Sequence, residues 1–149
     1  MAQIISEAGI PCCLMHNRNT KTYNNVIEDV VSDIKFSLNI AINNGICKEN
    51  IIVDPGIGFA KNYEHNMELI RNLYKIKQAI KLPILLGASN KSFIGKTLDL
   101  SANNINGRLE GTLATTAFGV EQGVTFFRVH NVEENKRIID MMKAILRIN

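Results

Sequence analysis

Apolar residues along this chain follow two rhythms. Four short runs are almost continuously apolar: 12–15 (Cys12-Cys13-Leu14-Met15), 51–53 (Ile51-Ile52-Val53), 84–87 (Ile84-Leu85-Leu86-Gly87) and 124–129 (Val124-Thr125-Phe126-Phe127-Arg128-Val129). Runs of this kind predict strands covered on both faces, as in a parallel sheet. The stretches between them carry helical spacing. Val26, Val30, Ile34, Leu38, Ala41 and Ile42 make one stripe on a helix over 25–43, closed by Gly45. A second helix over 66–80 carries Met67, Ile70, Leu73, Tyr74, Ile76 and Ile80, and Pro83 forces its end. The third helical region is split into a short segment after Lys91 and a longer one over 108–122, with a polar loop over 101–107 between them. A last helix over 133–146 presents Ile138, Met141, Met142 and Ile145. Residues 1–8 read as the final turns of a helix, with Gly9 as a left-handed cap and Pro11 just beyond.

Strand and helix therefore alternate, with strand starts 33 to 40 residues apart. That spacing suits βαβ units and a parallel sheet, so the expected class is α/β. The chain opens on a helix end, as if earlier βα units preceded it. Four parallel strands leave two bare edges, whereas a closed (β/α)₈ barrel takes eight strands in about 250 residues. The expectation is half of such a barrel, in one domain over residues 1–149.

Composition narrows the function without choosing it. Of 149 residues, 46% are hydrophobic and 21% charged, which is ordinary for a globular domain and unlike a disordered chain. The three cysteines, Cys12, Cys13 and Cys47, are odd in number, two are adjacent, and no C-x-x-C pair suggests zinc. A reducing, cytoplasmic setting is expected. No secretory leader is expected at the N-terminus, and no apolar run approaches the ~20 residues that cross a bilayer. The net charge of +3 comes without a basic run and without tryptophan, so neither nucleic acid nor membrane is an expected partner. A small anionic ligand is the more economical use of that excess.

In βα proteins the ligand sits at the carboxyl ends of the strands. The residues there are His16-Asn17-Arg18, then Asp54-Pro55-Gly56-Ile57-Gly58-Phe59-Ala60-Lys61, then Ala88-Ser89-Asn90-Lys91-Ser92, and finally Arg128-Val129-His130-Asn131. Asp54 closes an apolar strand. Its carboxylate could take two donors from the amide or amidine edge of a heterocycle, or it could simply cap the Asp-Pro-Gly turn. Phe59 could stack on a planar ring or belong to the core. Arg128 and His130, two apart on a strand end, can share one face and, with Lys91, form an anion site; a solvated strand end is the alternative. Two nucleotide patterns fail. Gly95-Lys96-Thr97 ends a phosphate-loop motif whose first glycine would be position 90, which is Asn90, and Gly56-x-Gly58 lacks a glycine at Lys61. His16, His65 and His130 share no ligand spacing, so no metal held by protein side chains is expected, and nothing forces a Ser-His-Asp or Cys-His arrangement. Cys12 and Cys13 read as buried strand residues.

The three segments from Asp54 to Lys61, Ser89 to Ser92 and Arg128 to Asn131, in that order and spacing, with Cys13-Leu14-Met15-His16 ahead of them, closely resemble the dihydropteroate synthase family. The likeness covers essentially the whole chain and implies strands 5–8, the C-terminal half of that family's TIM (β/α)₈ barrel. It implies a transferase of folate biosynthesis, joining 4-aminobenzoate to 6-hydroxymethyl-7,8-dihydropterin diphosphate with release of diphosphate, usually with Mg²⁺ on the phosphates. By the same likeness Asp54 would bind the amino and ring N–H edge of the pterin, and Lys91 its carbonyl and ring nitrogen. Met15, Phe59 and Gly87 would line the pocket. Arg128 and His130 would hold the diphosphate, and Ser89, Lys91 and Ser92 would border the aminobenzoate. Lys91, Arg128 and His130 would be the catalytic groups. The full-length family member would be a homodimer. Two departures stand out: Asn90 where the family usually has Arg, and Asn131 where it usually has Asp, which bears on the orientation of His130. Without the N-terminal half, weak activity or none is expected. A pterin-binding methyltransferase domain and a non-catalytic half-barrel working with a partner chain are the alternatives; the Arg128–His130 pair argues against the first.

Overall fold

The structure, a computed structural model, describes residues 1–148. Its elements in chain order are α1 (Ala2–Ala8), β1 (Cys12–Met15), α2 (Val26–Asn43), β2 (Ile51–Asp54), α3 (Tyr63–Arg71), α4 (Leu73–Ile80), β3 (Leu85–Leu86), α5 (Ser92–Thr97), α6 (Leu109–Glu121), β4 (Phe126–Phe127) and α7 (Val132–Leu146), with single 3₁₀ turns at Lys48–Asn50 and Asn106–Arg108.

Local chemistry explains the helix ends. Asn25 caps α2, its side chain accepting from the Ile27 and Glu28 amides, and Glu28 and Asp29 meet the positive end of the helix dipole. Asn62 and His65 form a reciprocal capping box that starts α3 at Tyr63, three residues before the start expected from hydrophobic spacing alone. The single helix expected over 66–80 is two helices. At Asn72 the side-chain amide donates to the Glu68 carbonyl and carboxylate, both at 2.8 Å, and the regular ladder stops.

The sheet is parallel throughout. Cys12, Cys13, Leu14 and Met15 pair with Ile51, Ile52, Val53 and Asp54. Leu85 and Leu86 pair with Phe126 and Phe127. A Val53–Ile84 bridge, with the Val53 amide donating to Pro83 O at 3.0 Å, joins the two pairs into the spatial order β1-β2-β3-β4. The last two runs are shorter as strands than their apolar lengths predict, β3 and β4 keeping only two residues each.

Alternate strand residues point to opposite faces. One face carries Ile51, Val53, Ile84 and Leu86, and it packs with Ile34 from α2, Leu69 from α3, and Leu73 and Ile76 from α4 in one core, all 2% exposed or less. The other face is open: Cys13 and Met15 are exposed, as is Phe126. Strands covered on both faces were expected, and this structure covers only one, because every helix that packs on the sheet lies on the same side. Cys13 accordingly is exposed rather than buried, and Cys12 is half-buried.

Candidate functional site

The carboxyl ends of the four strands gather the polar residues. Asp54 ends β2 with its side chain 2% exposed, and its two oxygens have different partners. Oδ1 accepts the Gly56 amide at 2.7 Å, and Oδ2 accepts from Arg128 Nη2 at 3.2 Å. Turn cap and acceptor for a guanidinium-like group are thus both realised, one on each oxygen. Burial pushes the carboxyl pKa above its ordinary range, opposed by the Gly56 amide and by the Arg128 charge.

The turn after Asp54 depends on glycine. Gly56 has φ +73°, and a Cβ on it would overlap the His16 carbonyl oxygen. Any other residue would meet both the left-handed penalty and that collision. Gly58 follows, its amide donating to Asn66 Oδ1 at 2.7 Å. Lys91 crosses directly over it: a Cβ at Gly58 would stand 3.0 Å from Lys91 Cδ. From there the Lys91 ammonium reaches the ring of Phe59, 4.4 Å from its centroid. Phe59 is neither plain core nor free; it is half-buried beneath a cation.

Arg128 reaches Asp54 by passing over Gly87, where an added Cβ would lie 2.6 Å from Nη2. Its side chain is 58% exposed. His130 turns instead to Ser89, with Nδ1 2.9 Å from Oγ, and its own amide donates to the same oxygen at 3.2 Å. The Ser89 hydroxyl thus engages both the backbone amide and the ring of His130. The expected anion pair is therefore held by two different partners. Asn131 does not orient His130; its carbonyl instead accepts from the Asn135 side chain at 2.7 Å. Asn90 adopts φ +56°, a conformation asparagine tolerates. Its amide donates to Thr112 Oγ1 at 3.1 Å and its carbonyl accepts from Arg108 Nη1 at 2.8 Å, so the turn that carries Lys91 is pinned from below. Ser92 is exposed as the first residue of α5, and Met15 is exposed as the strand partner of Asp54.

Asp54, Phe59, Lys91, Gly87 and Arg128 are brought together, and Ser89 with His130 stands as a neighbouring pair. Residue-by-residue reasoning gave no role to Asn66, Thr112, Arg108, Asp33 or Lys61. A polar residue on the apolar stripe of a helix, as at Asn66 and Thr112, is the signal that could have found two of them. Among the described residues no three His, Cys, Asp or Glu side chains cluster as a metal would need.

Known proteins resemble this chain closely in sequence and fold. The family model described as pterin binding enzyme matches residues 1–130. Dihydropteroate synthase of Clostridium beijerinckii is 47% identical over 148 residues, covering 99% of this chain and 54% of that protein. The Bacillus subtilis dihydropteroate synthase is 42% identical over 146 residues, covering 98% and 50% respectively. The crystal structure of a Clostridium difficile dihydropteroate synthase in the presence of pteroic acid superposes with a TM-score of 0.91 at 42% identity, covering 99% of this chain and 55% of that one. The chain spans about half the length of the curated relatives it matches.

Proposed function

The chain belongs to the pterin binding enzyme family, and we propose that it carries the pterin-binding end of a dihydropteroate synthase, formed by strands 5–8 of a (β/α)₈ barrel. The observation that carries this reading is the buried Asp54 carboxylate, set at a strand end with Lys91 and Arg128 converging on it from two other strand ends. A carboxylate held this way by a rigid turn matches the paired N–H edge of a pterin. The Arg128 now on Oδ2 is exposed enough to yield that place.

The reaction joins the amino nitrogen of 4-aminobenzoate to the pterin methylene, breaks the methylene C–O bond, and releases diphosphate and the amine proton. Each side chain has a part in it. Asp54 binds and orients the ring; Lys91 donates to the ring carbonyl and nitrogen from above Phe59. Arg128 and His130 stabilise charge that builds on the leaving diphosphate, and Ser89 fixes the His130 ring for that task. Ser89 and Ser92 border the aminobenzoate, with Met15 and Gly87 lining the pocket. No protein nucleophile is required.

Mg²⁺ belongs to this proposal only on the substrate's phosphates. The residues where the diphosphate would lie are cationic, and among the described residues no three His, Cys, Asp or Glu side chains cluster to hold a metal of their own. The proposal also takes the full-length protein as a cytoplasmic homodimer acting on small molecules; no helix among the described residues is long and apolar enough to cross a membrane.

The test is calorimetric titration of the purified chain with 6-hydroxymethyl-7,8-dihydropterin diphosphate, repeated on Asp54→Ala, with diphosphate release in the presence of 4-aminobenzoate as the activity readout. Saturable binding that disappears in Asp54→Ala is expected. Equal binding by the two proteins would overturn the assignment of Asp54.

A further inference from the structure

One buried cluster of titratable groups has no part in the chemistry above. His16 and Lys61 are 4% and 5% exposed, at the ends of neighbouring segments after β1 and β2. Lys61 Nζ stands 2.9 Å from His16 Nδ1, 3.0 Å from the Gly56 carbonyl and 2.9 Å from the Phe59 carbonyl. An ammonium has three N–H donors and no acceptor. With all three engaged, His16 Nδ1 must accept, so the imidazole proton sits on Nε2. That nitrogen is 3.0 Å from Asp33 Oδ2, to which it donates. Asp33 also accepts from Arg18 Nε at 2.6 Å, and this bond holds its carboxyl below the usual range. The tautomer of His16 is thus set from both sides.

The two carbonyls that Lys61 holds belong to the turn that presents the site. Gly56 supplies the amide that caps Asp54, and Phe59 supplies the ring under Lys91. The charged or titratable groups facing Lys61 are Asp54 from β2, Asp33 from α2, and His16, Arg18 and Tyr23 from the segment after β1. Burying a cation is costly, and an apolar side chain would fill the same space more cheaply. A three-point clamp on backbone carbonyls is what the ammonium adds.

We propose that Lys61 is a positioning residue that locks the 54–61 turn in its ligand-binding shape, and that His16, held as the Nε2–H tautomer by Asp33, is the acceptor that keeps the ammonium in place. The proposal rests on the reading that this turn receives the pterin. Lys61 and His16 act on the ligand only through Asp54 and Phe59.

The test compares hydrogen exchange of the 149-residue chain with that of Lys61→Met, His16→Leu and His16→Gln, alongside titration with 6-hydroxymethyl-7,8-dihydropterin diphosphate. Losing a bond to a charged donor corresponds to about tenfold in an equilibrium, so amides 56–61 should exchange about tenfold faster in Lys61→Met and His16→Leu. Pterin affinity should fall by a similar factor, while amides in α6 keep their rates. Glutamine at position 16 keeps one acceptor and one donor, so His16→Gln should retain most of the protection. Nitrogen NMR of the unaltered chain should find His16 with its proton on Nε2. A proton on Nδ1, unchanged exchange at 56–61 in Lys61→Met, or equal loss in His16→Gln and His16→Leu would each overturn the proposal. If the unaltered chain takes up no pterin, the reading of the site fails, and the exchange and NMR results still decide the clamp.

Discussion

The two ends of the candidate site are built on opposite plans. Where β1 and β2 end, the polar groups are buried: His16, Asp54 and Lys61 are each 5% exposed or less, His16 bonded to Lys61 and Asp33, and Asp54 to the Gly56 amide and Arg128. Where β4 ends, Arg128 is 58% exposed and His130 is exposed; Arg128 reaches past β3 to Asp54 at the end of β2, and His130 leans on Ser89 after β3. The first end is enclosed and held by fixed partners. The second presents donors that an anion would complete. A planar heterocycle needs a rigid, directional acceptor, whereas a diphosphate is held by charge and tolerates mobile cations. The difference in construction therefore matches the difference in what each end would hold.

If this contrast is correct, substitutions at the buried end should cost stability and substitutions at the open end should not. The largest effect is expected from Gly56→Ala. A left-handed backbone and a collision with the His16 carbonyl should together cost about 3–5 kcal/mol, seen as a lower midpoint in urea denaturation. Retained stability would remove the turn's dependence on glycine. Arg128→Ala should do the reverse. Pterin diphosphate binding should weaken by about 10- to 100-fold, while stability moves by about 1 kcal/mol, because the guanidinium is mostly in solvent and Asp54 keeps the Gly56 amide. Calorimetry and denaturation on the same sample separate the two.

Lys61 adds a pH test with a definite sign. Burial, acting against Asp54, lowers its pKa from 10.5 to about 8. Below that value folded and unfolded chains both hold the proton, and between about 8 and 10.5 only the unfolded chain does. Stability from this group therefore rises with pH across that window, by about 3 kcal/mol at most. The stability gap between the unaltered chain and Lys61→Met should widen in favour of the former from pH 8 to 10, and a flat gap would contradict a buried, titrating lysine. His16 acts on the acid side. Burial, and then Lys61, hold its pKa below 6.5, so the folded chain stays neutral where the unfolded chain takes a proton. Stability should fall on acidification through that region, and less so in His16→Gln.

Two smaller effects sharpen the contrast. Thr112→Val removes the acceptor of the Asn90 amide and should cost about 1–2 kcal/mol in denaturation. Asn131→Asp places a negative charge at the N-terminus of α7, where the asparagine makes no side-chain cap. It should add about 0.5 kcal/mol of stability and leave the His130–Ser89 bond unchanged. A changed His130 environment by NMR would show that position 131 does orient the ring.

Much of this architecture is legible in local order. The stripe from Val26 to Ala41 becomes the buried face of α2, and the alternation of apolar runs and helical stretches becomes parallel strands separated by helices. Asp54, Lys91 and Arg128 are legible as candidate site residues because polar groups follow apolar strands at a single end of the sheet. Other features were hidden. The break at Asn72 depends on a side chain competing for the Glu68 carbonyl, which hydrophobic spacing does not register. That Asp54 binds Arg128 across 74 residues, while His130 turns to Ser89, follows from strand order and side-chain reach. The open face bearing Cys13 and Met15 is not legible in the apolar runs, which report the greasiness of a strand and not how many of its faces are covered, but it does follow from the expectation of half a barrel, whose interior is left uncovered.

Periodicity and glycine positions are properties of neighbouring residues, so the sequence alone determined the alternation of strands and helices and the strand ends where polar groups collect. Partner choice across the sheet is a long-range matter. Only the tertiary structure decided that Lys61, the last residue of a glycine-rich turn, would be buried against His16 and hold that turn by its carbonyls. A buried cation's role is set by what surrounds it in space, and here those surroundings come from three separate segments of the chain.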